Sequence, residues 1–135
     1  MNEEETAREY YLPKIEKGYV DYRALGWENQ TAQELRFSEF TKNVAIQNTN
    51  LLDIGCGNGD LLDHLKTNNI NTDYLGMDLL PEMIDLAKQR HPGYHFVTGD
   101  IFTTAFCCED SFDVIFASGI FNLKSEDNIA FFYFW

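Results

Sequence analysis

The stretch that most constrains this chain is residues 51–65, LLDIGCGNGDLLDHL. Leu51, Leu52 and Ile54 read as the apolar end of a buried strand, and Gly55, Gly57 and Gly59 alternate through a tight turn. Leu61, Leu62 and Leu65 then recur at helical spacing. A strand that turns through glycines into a helix brings backbone N–H groups, at the positive end of the helix, toward a ligand. The turn is expected to floor a small-molecule pocket.

The flanking sequence extends the pattern. Tyr74–Leu79 reads as a second strand, and Pro81 suits the first position of a helix that places Glu82 in its first turn and Lys88 and Arg90 in its last. Met83, Ile84 and Ala87 are expected to face the sheet, and His91-Pro92-Gly93 to stop the helix. Residues 94–98 form a third strand and Phe112–Ala117 a fourth, with at least a turn of helix expected between them because parallel strands need a crossover. The fold class is α/β, a doubly wound parallel sheet. Upstream, one or two short helical pieces are expected over 3–20, broken at Pro13, with Tyr10, Tyr11, Leu12 and Ile15 on one face. A loop follows over 18–28. Residues 29–46 read as a longer helix opened by a Thr31/Glu34 capping box, with Phe37, Phe40, Val44 and Ala45 inward. Residues 1–48 would form a helical cap or lid and 49–135 the binding unit, in one structural domain; packing cap and ligand-covering lid both remain open.

The net charge of −12 disfavours nucleic acid and anionic membrane partners, and no apolar run reaches membrane-spanning length. Glu3, Glu4 and Glu5 are unlike the basic start of a signal peptide. Three cysteines, Cys56, Cys107 and Cys108, make neither a paired framework nor a zinc spacing, so a reduced, cytoplasmic protein without a metal site is expected.

Ligands of open α/β sheets sit beyond the carboxyl ends of the strands. Three acids fall there: Asp53 near the end of the first strand, Asp78 at the end of the second and Asp100 after the third. The dinucleotide fingerprint G-x-G-x-x-G is not met, because Asp60 stands where its third glycine would be, and a carboxylate beside a pyrophosphate is unfavourable. A phosphate-free, partly cationic nucleoside suits this rim better. Asp78 can accept from both hydroxyls of a ribose, Asp100 from an adenine amino group, and Asp53 can attract an ammonium.

Asp53-Ile54-Gly55-Cys56-Gly57-Asn58-Gly59 resembles motif I of the class I S-adenosylmethionine-dependent methyltransferases. Asp78 resembles that family's ribose-binding acid, Gly99-Asp100-Ile101 its adenine-contacting segment, and Phe112-Asp113-Val114-Ile115 its fourth-strand motif. Asn29–Phe37 and Ser118–Asn122 are similar to a bacterial subgroup of small methyltransferases without an assigned acceptor. The resemblance implies a Rossmann-like fold, S-adenosyl-L-methionine as cofactor, and in-line methyl transfer to an unknown acceptor. It implies that Gly55, Cys56, Gly57, Asn58 and Gly59 pack against the methionine part, with Asp53 near its amino group. Leu79 and Met83 would join Asp78 at the ribose or adenine, Asp100 and Ile101 would hold the adenine, and Ser118 and Gly119 would flank the methyl group. No catalytic side chain is identified.

Simpler readings stand beside these. Arg36 reaches the cofactor carboxylate or makes a surface ion pair; Tyr22 and Trp27 cover ligand or pack in the core. Cys56 is a small packing residue rather than a nucleophile, Cys107-Cys108 is an incidental loop pair, His64 is a solvated helix residue, and His91 suits a helix C-terminus. The family usually has seven strands, whereas this chain stops soon after the fourth and ends on Ala130–Trp135, a strongly apolar run. A C-terminally truncated methyltransferase is therefore expected, with self-association through an exposed sheet edge or the apolar end. The alternatives are a non-catalytic nucleoside-binding or interaction module and, less favoured by the glycine spacing, an NAD(P)-dependent oxidoreductase.

Overall fold

The computed structural model describes residues 2–18, 30–101 and 112–117. Tyr22, Trp27, Cys107, Cys108, Ser118, Gly119, the expected crossover helix and the apolar end lie outside the described residues. Among the described residues there are four helices, α1 (Glu3–Glu16), α2 (Gln30–Asn43), α3 (Asp60–Thr67) and α4 (Pro81–Arg90). Four strands accompany them: β1 (Asn50–Ile54), β2 (Asp73–Asp78), β3 (His95–Thr98) and β4 (Val114–Ala117). The strands are all parallel and ordered β3-β2-β1-β4. This is the expected Rossmann-like sheet. Its growth reverses at β1, and the glycine turn leaves that strand at the reversal, where open α/β sheets take ligands.

Alternation along the strands explains the core. Leu51 pairs with Tyr74 and Val114, and Asp53 with Gly76 and Phe116, while Gly76 pairs with Phe96. These residues share one face. Leu51, Tyr74 and Phe96 pack there with Phe37 of α2, Leu61, Leu62 and Leu65 of α3, and Ile84 and Ala87 of α4. Gly76 makes the layer possible: a Cβ there would lie 2.7 Å from the Phe96 ring and 2.9 Å from the Cys56 sulfur. At the foot of the sheet, the Asn50 N–H donates to the Asp113 carboxylate at 2.8 Å, fixing where β4 starts.

Four local expectations change. Pro13 does not divide α1, which runs through it as one helix opened by a reciprocal Asn2–Glu5 capping box. Ala7, Tyr11 and Ile15 recur on one side of α1 and pack on Leu80 and Met83, so tertiary burial offsets the missing proline N–H. Met83 consequently packs with α1 rather than in the sheet-facing cluster of Ile84 and Ala87. Thr31 is not a cap, because α2 already begins at Gln30, and α2 ends at Asn43, leaving Val44 and Ala45 exposed. His64 is buried rather than solvated, with its ring nitrogens 3.3 Å from Thr41 Oγ1 and 3.3 Å from Glu34 Oε2. Among the described residues no helix is long and apolar enough to cross a membrane.

Candidate active site

The turn after β1 needs its glycines. Gly55, Gly57 and Gly59 all have positive φ, at 70°, 56° and 88°, where a Cβ is strained. At Gly59 space is closed too, since a Cβ would meet the His91 ring at 2.7 Å. The expectation of bare N–H groups is overturned at four positions. Gly55 and Cys56 both donate to the Met77 carbonyl, at 2.8 and 2.9 Å, and Gly59 to the Cys56 carbonyl at 3.1 Å. The Gly57 N–H donates to Asp78 Oδ2 at 3.0 Å. The turn is thus stitched to the end of β2, and these donors do not cradle a phosphate.

Asp78 is the centre of the site. Its second oxygen accepts from the Leu80 N–H at 3.0 Å. Burial raises its pKa, while the N–H groups of Leu80, Gly57 and Leu79 act against that by favouring the ionised form. A carboxylate has about four acceptor positions, so two backbone bonds leave room for two ligand hydroxyls. Tyr11 of α1 lies near enough to feel this charge: burial, and then Asp78, push its phenol up to about 12. An ion pair between Arg8 Nη1 and Glu82 Oε1 at 2.5 Å ties α1 to the start of α4.

Asp53 does not join the rim. It is 3% exposed and accepts from the Tyr74 hydroxyl at 2.6 Å beneath the turn. Burial pushes its carboxyl up to about 7; the Tyr74 hydrogen bond opposes this, and Asp78 and Asp60 add to it. Asp100 and Ile101 are half-buried just past β3. Cys56 is buried, its thiol pushed up by burial, which fits packing and not nucleophilic work. Leu79 is half-buried beside Asp78, Met83 lies buried under α1, and Arg36 is exposed on α2. Among the described residues no group of three His, Cys, Asp or Glu side chains could hold a metal.

The largest surprise is Asp60. It does not stand as a bare negative charge beside the turn. Arg90 Nη1 donates to its Oδ1 at 2.5 Å and Gln33 Nε2 to its Oδ2 at 2.8 Å. The repulsion argued against a pyrophosphate is therefore largely cancelled, and the committed N–H groups carry that discrimination instead. Neither Gln33 nor Arg90 stands out in sequence. The available signals were a glutamine on the inward face of α2 and an arginine at the end of α4, both easily read as surface residues.

The sequence pattern of the family described as "Methyltransferase domain" matches residues 51–133. The chain belongs to this methyltransferase-domain family. A Mycobacterium tuberculosis protein named provisionally as a methyltransferase is 43% identical over 77 residues, 56% of this chain and 45% of that protein. The crystal structure of a TehB-like SAM-dependent methyltransferase from Corynebacterium glutamicum superposes with a TM-score of 0.55 at 30% identity, covering 83% of this chain and 61% of that one. YjhP of Escherichia coli shares the fold, with a TM-score of 0.52 at 22% identity over 64% of this chain and 37% of that one. The methyltransferase domain described here thus spans about half the length of the curated relative it matches and three-fifths of the Corynebacterium protein.

Proposed function

We propose that this methyltransferase domain binds S-adenosyl-L-methionine and directs its methyl group to an acceptor in line with the sulfonium bond. The observation that carries the reading is Asp78. At the carboxyl end of β2, beside the glycine turn, it keeps acceptor capacity for two ribose hydroxyls while two backbone N–H groups hold it in place. The donor set suits a nucleoside without phosphates, because the N–H groups of Gly55, Cys56, Gly57 and Gly59 are already committed.

In this reading the bound cofactor supplies an activated methyl group, so the protein need not supply a nucleophile. Asp78 orients the ribose. Leu79 and Met83 border the adenosine, Asp100 and Ile101 receive the adenine, and the turn Gly55–Gly59 shapes the space for the methionine part. Asp53 acts from beneath the turn, Ser118 and Gly119 flank the methyl, and Arg36 is the candidate partner of the cofactor carboxylate. Rate enhancement then comes from alignment and exclusion of water.

Isothermal titration with S-adenosylhomocysteine and, separately, NAD tests the reading. Binding of the former without the latter is expected; the reverse would overturn it. A methyl-release assay over candidate acceptors then separates an active enzyme from a nucleoside-binding module.

A further inference from the structure

Glycine-rich turns have many accessible conformations, so something must select the one that fits a ligand. Here the selection is made from the outer side. Arg90 closes α4 and reaches back across to the turn. Its Nη1 donates to the Asn58 carbonyl at 3.2 Å as well as to Asp60, and its Nη2 pairs with Asp63 of α3. One guanidinium therefore grips the turn itself, the first residue of α3 and the next turn of that helix. Gln33 holds the other Asp60 oxygen from α2. The neighbouring His91 ring fills the space a Cβ at Gly59 would need.

We propose that Arg90 is a positioning residue that sets the shape of the cofactor turn and through it the affinity of the site for an adenosine ligand. The proposal rests on the function argued above. Its physics is local. A peptide unit is planar, so holding the Asn58 carbonyl outward also fixes the direction of the Gly59 N–H on the same unit. That N–H then meets the Cys56 carbonyl at 3.1 Å and closes the turn. Asp60, drawn between Arg90 and Gln33, keeps the start of α3 in register with β1. Lysine could not replace arginine, because a single ammonium cannot span the carbonyl and two carboxylates with a planar fork.

The test uses Arg90→Lys and Arg90→Met in the full chain, with amide hydrogen exchange on the unliganded protein and titration with S-adenosylhomocysteine. In both variants, exchange is expected to quicken at Gly59 and Asp60 relative to Phe96 and Val97 of β3. The dissociation constant is expected to rise about tenfold or more, in keeping with loss of charge-assisted bonds that hold the turn. Two results overturn the proposal: exchange that quickens equally across the sheet, which would make Arg90 a general stabiliser, and unchanged affinity despite a loosened turn. Should Arg90→Met fail to fold, Arg90→Lys decides alone. Absence of binding by the unmodified chain would overturn the functional reading instead, while the exchange comparison still decides whether Arg90 braces the turn.

Discussion

Asp53 and Tyr74 form a buried acid–phenol pair whose energetics depend on pH in a calculable way. The Asp53 carboxyl has an ordinary value of 3.8 and is pushed up to about 7 in the folded protein. The folded state therefore holds this proton more tightly than the unfolded chain does. The resulting stabilisation is fully present below about pH 4 and is lost as pH rises through about 7. At about 1.4 kcal/mol per unit, the whole span amounts to about 4 kcal/mol, of which roughly 3 kcal/mol falls between pH 5 and pH 8. Asp53→Asn keeps an acceptor for the Tyr74 hydroxyl but cannot titrate. Urea unfolding of both proteins across this range should show the unmodified chain losing roughly 3 kcal/mol relative to the variant. Tyr74→Phe supplies the second arm. The hydroxyl favours the ionised acid, so its removal should cost about 1.5–3 kcal/mol at pH 8 and about 1 kcal/mol at pH 5. A stability difference between the unmodified chain and Asp53→Asn that stays constant with pH would refute the buried, proton-holding acid. A Tyr74→Phe cost independent of pH would refute the bond to the charged form.

Other consequences are simpler to read. Asp78→Ala should weaken S-adenosylhomocysteine binding by one to two charge-assisted hydrogen bonds, about 1.5–3 kcal/mol each, measured by titration calorimetry. Gly76→Ala puts a methyl 2.7 Å from the Phe96 ring and 2.9 Å from the Cys56 sulfur, and about 1–3 kcal/mol of destabilisation is expected in denaturant melts. Gly59→Ala adds positive-φ strain of about 1–2 kcal/mol to a 2.7 Å contact with His91, and should lower the melting temperature together with ligand affinity. Arg36→Ala should leave the melting temperature in place and weaken S-adenosylhomocysteine binding if the side chain meets the cofactor carboxylate; unchanged affinity removes it from the site.

The contrast between Asp78 and Asp60 explains how much of the site could be read in advance. Asp78 was identifiable because strand ends have a local signature and the end of a parallel strand has a fixed place relative to the turn. The strands and the helices of the α/β core were legible for the same reason, since periodicity is written in neighbouring residues. Asp60 was seen but its surroundings were not. Its charge is balanced by Gln33 and Arg90, which stand 27 and 30 positions away in the chain. Asp53 was likewise placed at the rim by its strand position, although the pleat directs its side chain beneath the turn to Tyr74. Pro13 and His64 went astray in the same way, because packing against Leu80 and Met83, and against α2, decides their environment.

By itself the sequence determined the parallel α/β order, the positive-φ glycines after β1 and an acid at the end of β2. Each of these follows from backbone sterics and local periodicity. Only the tertiary structure decided which N–H groups remain for a ligand, which acid is buried with a proton and which arginine holds the turn. Those depend on hydrogen-bond partners and burial contributed by distant parts of the chain, and no local pattern encodes them.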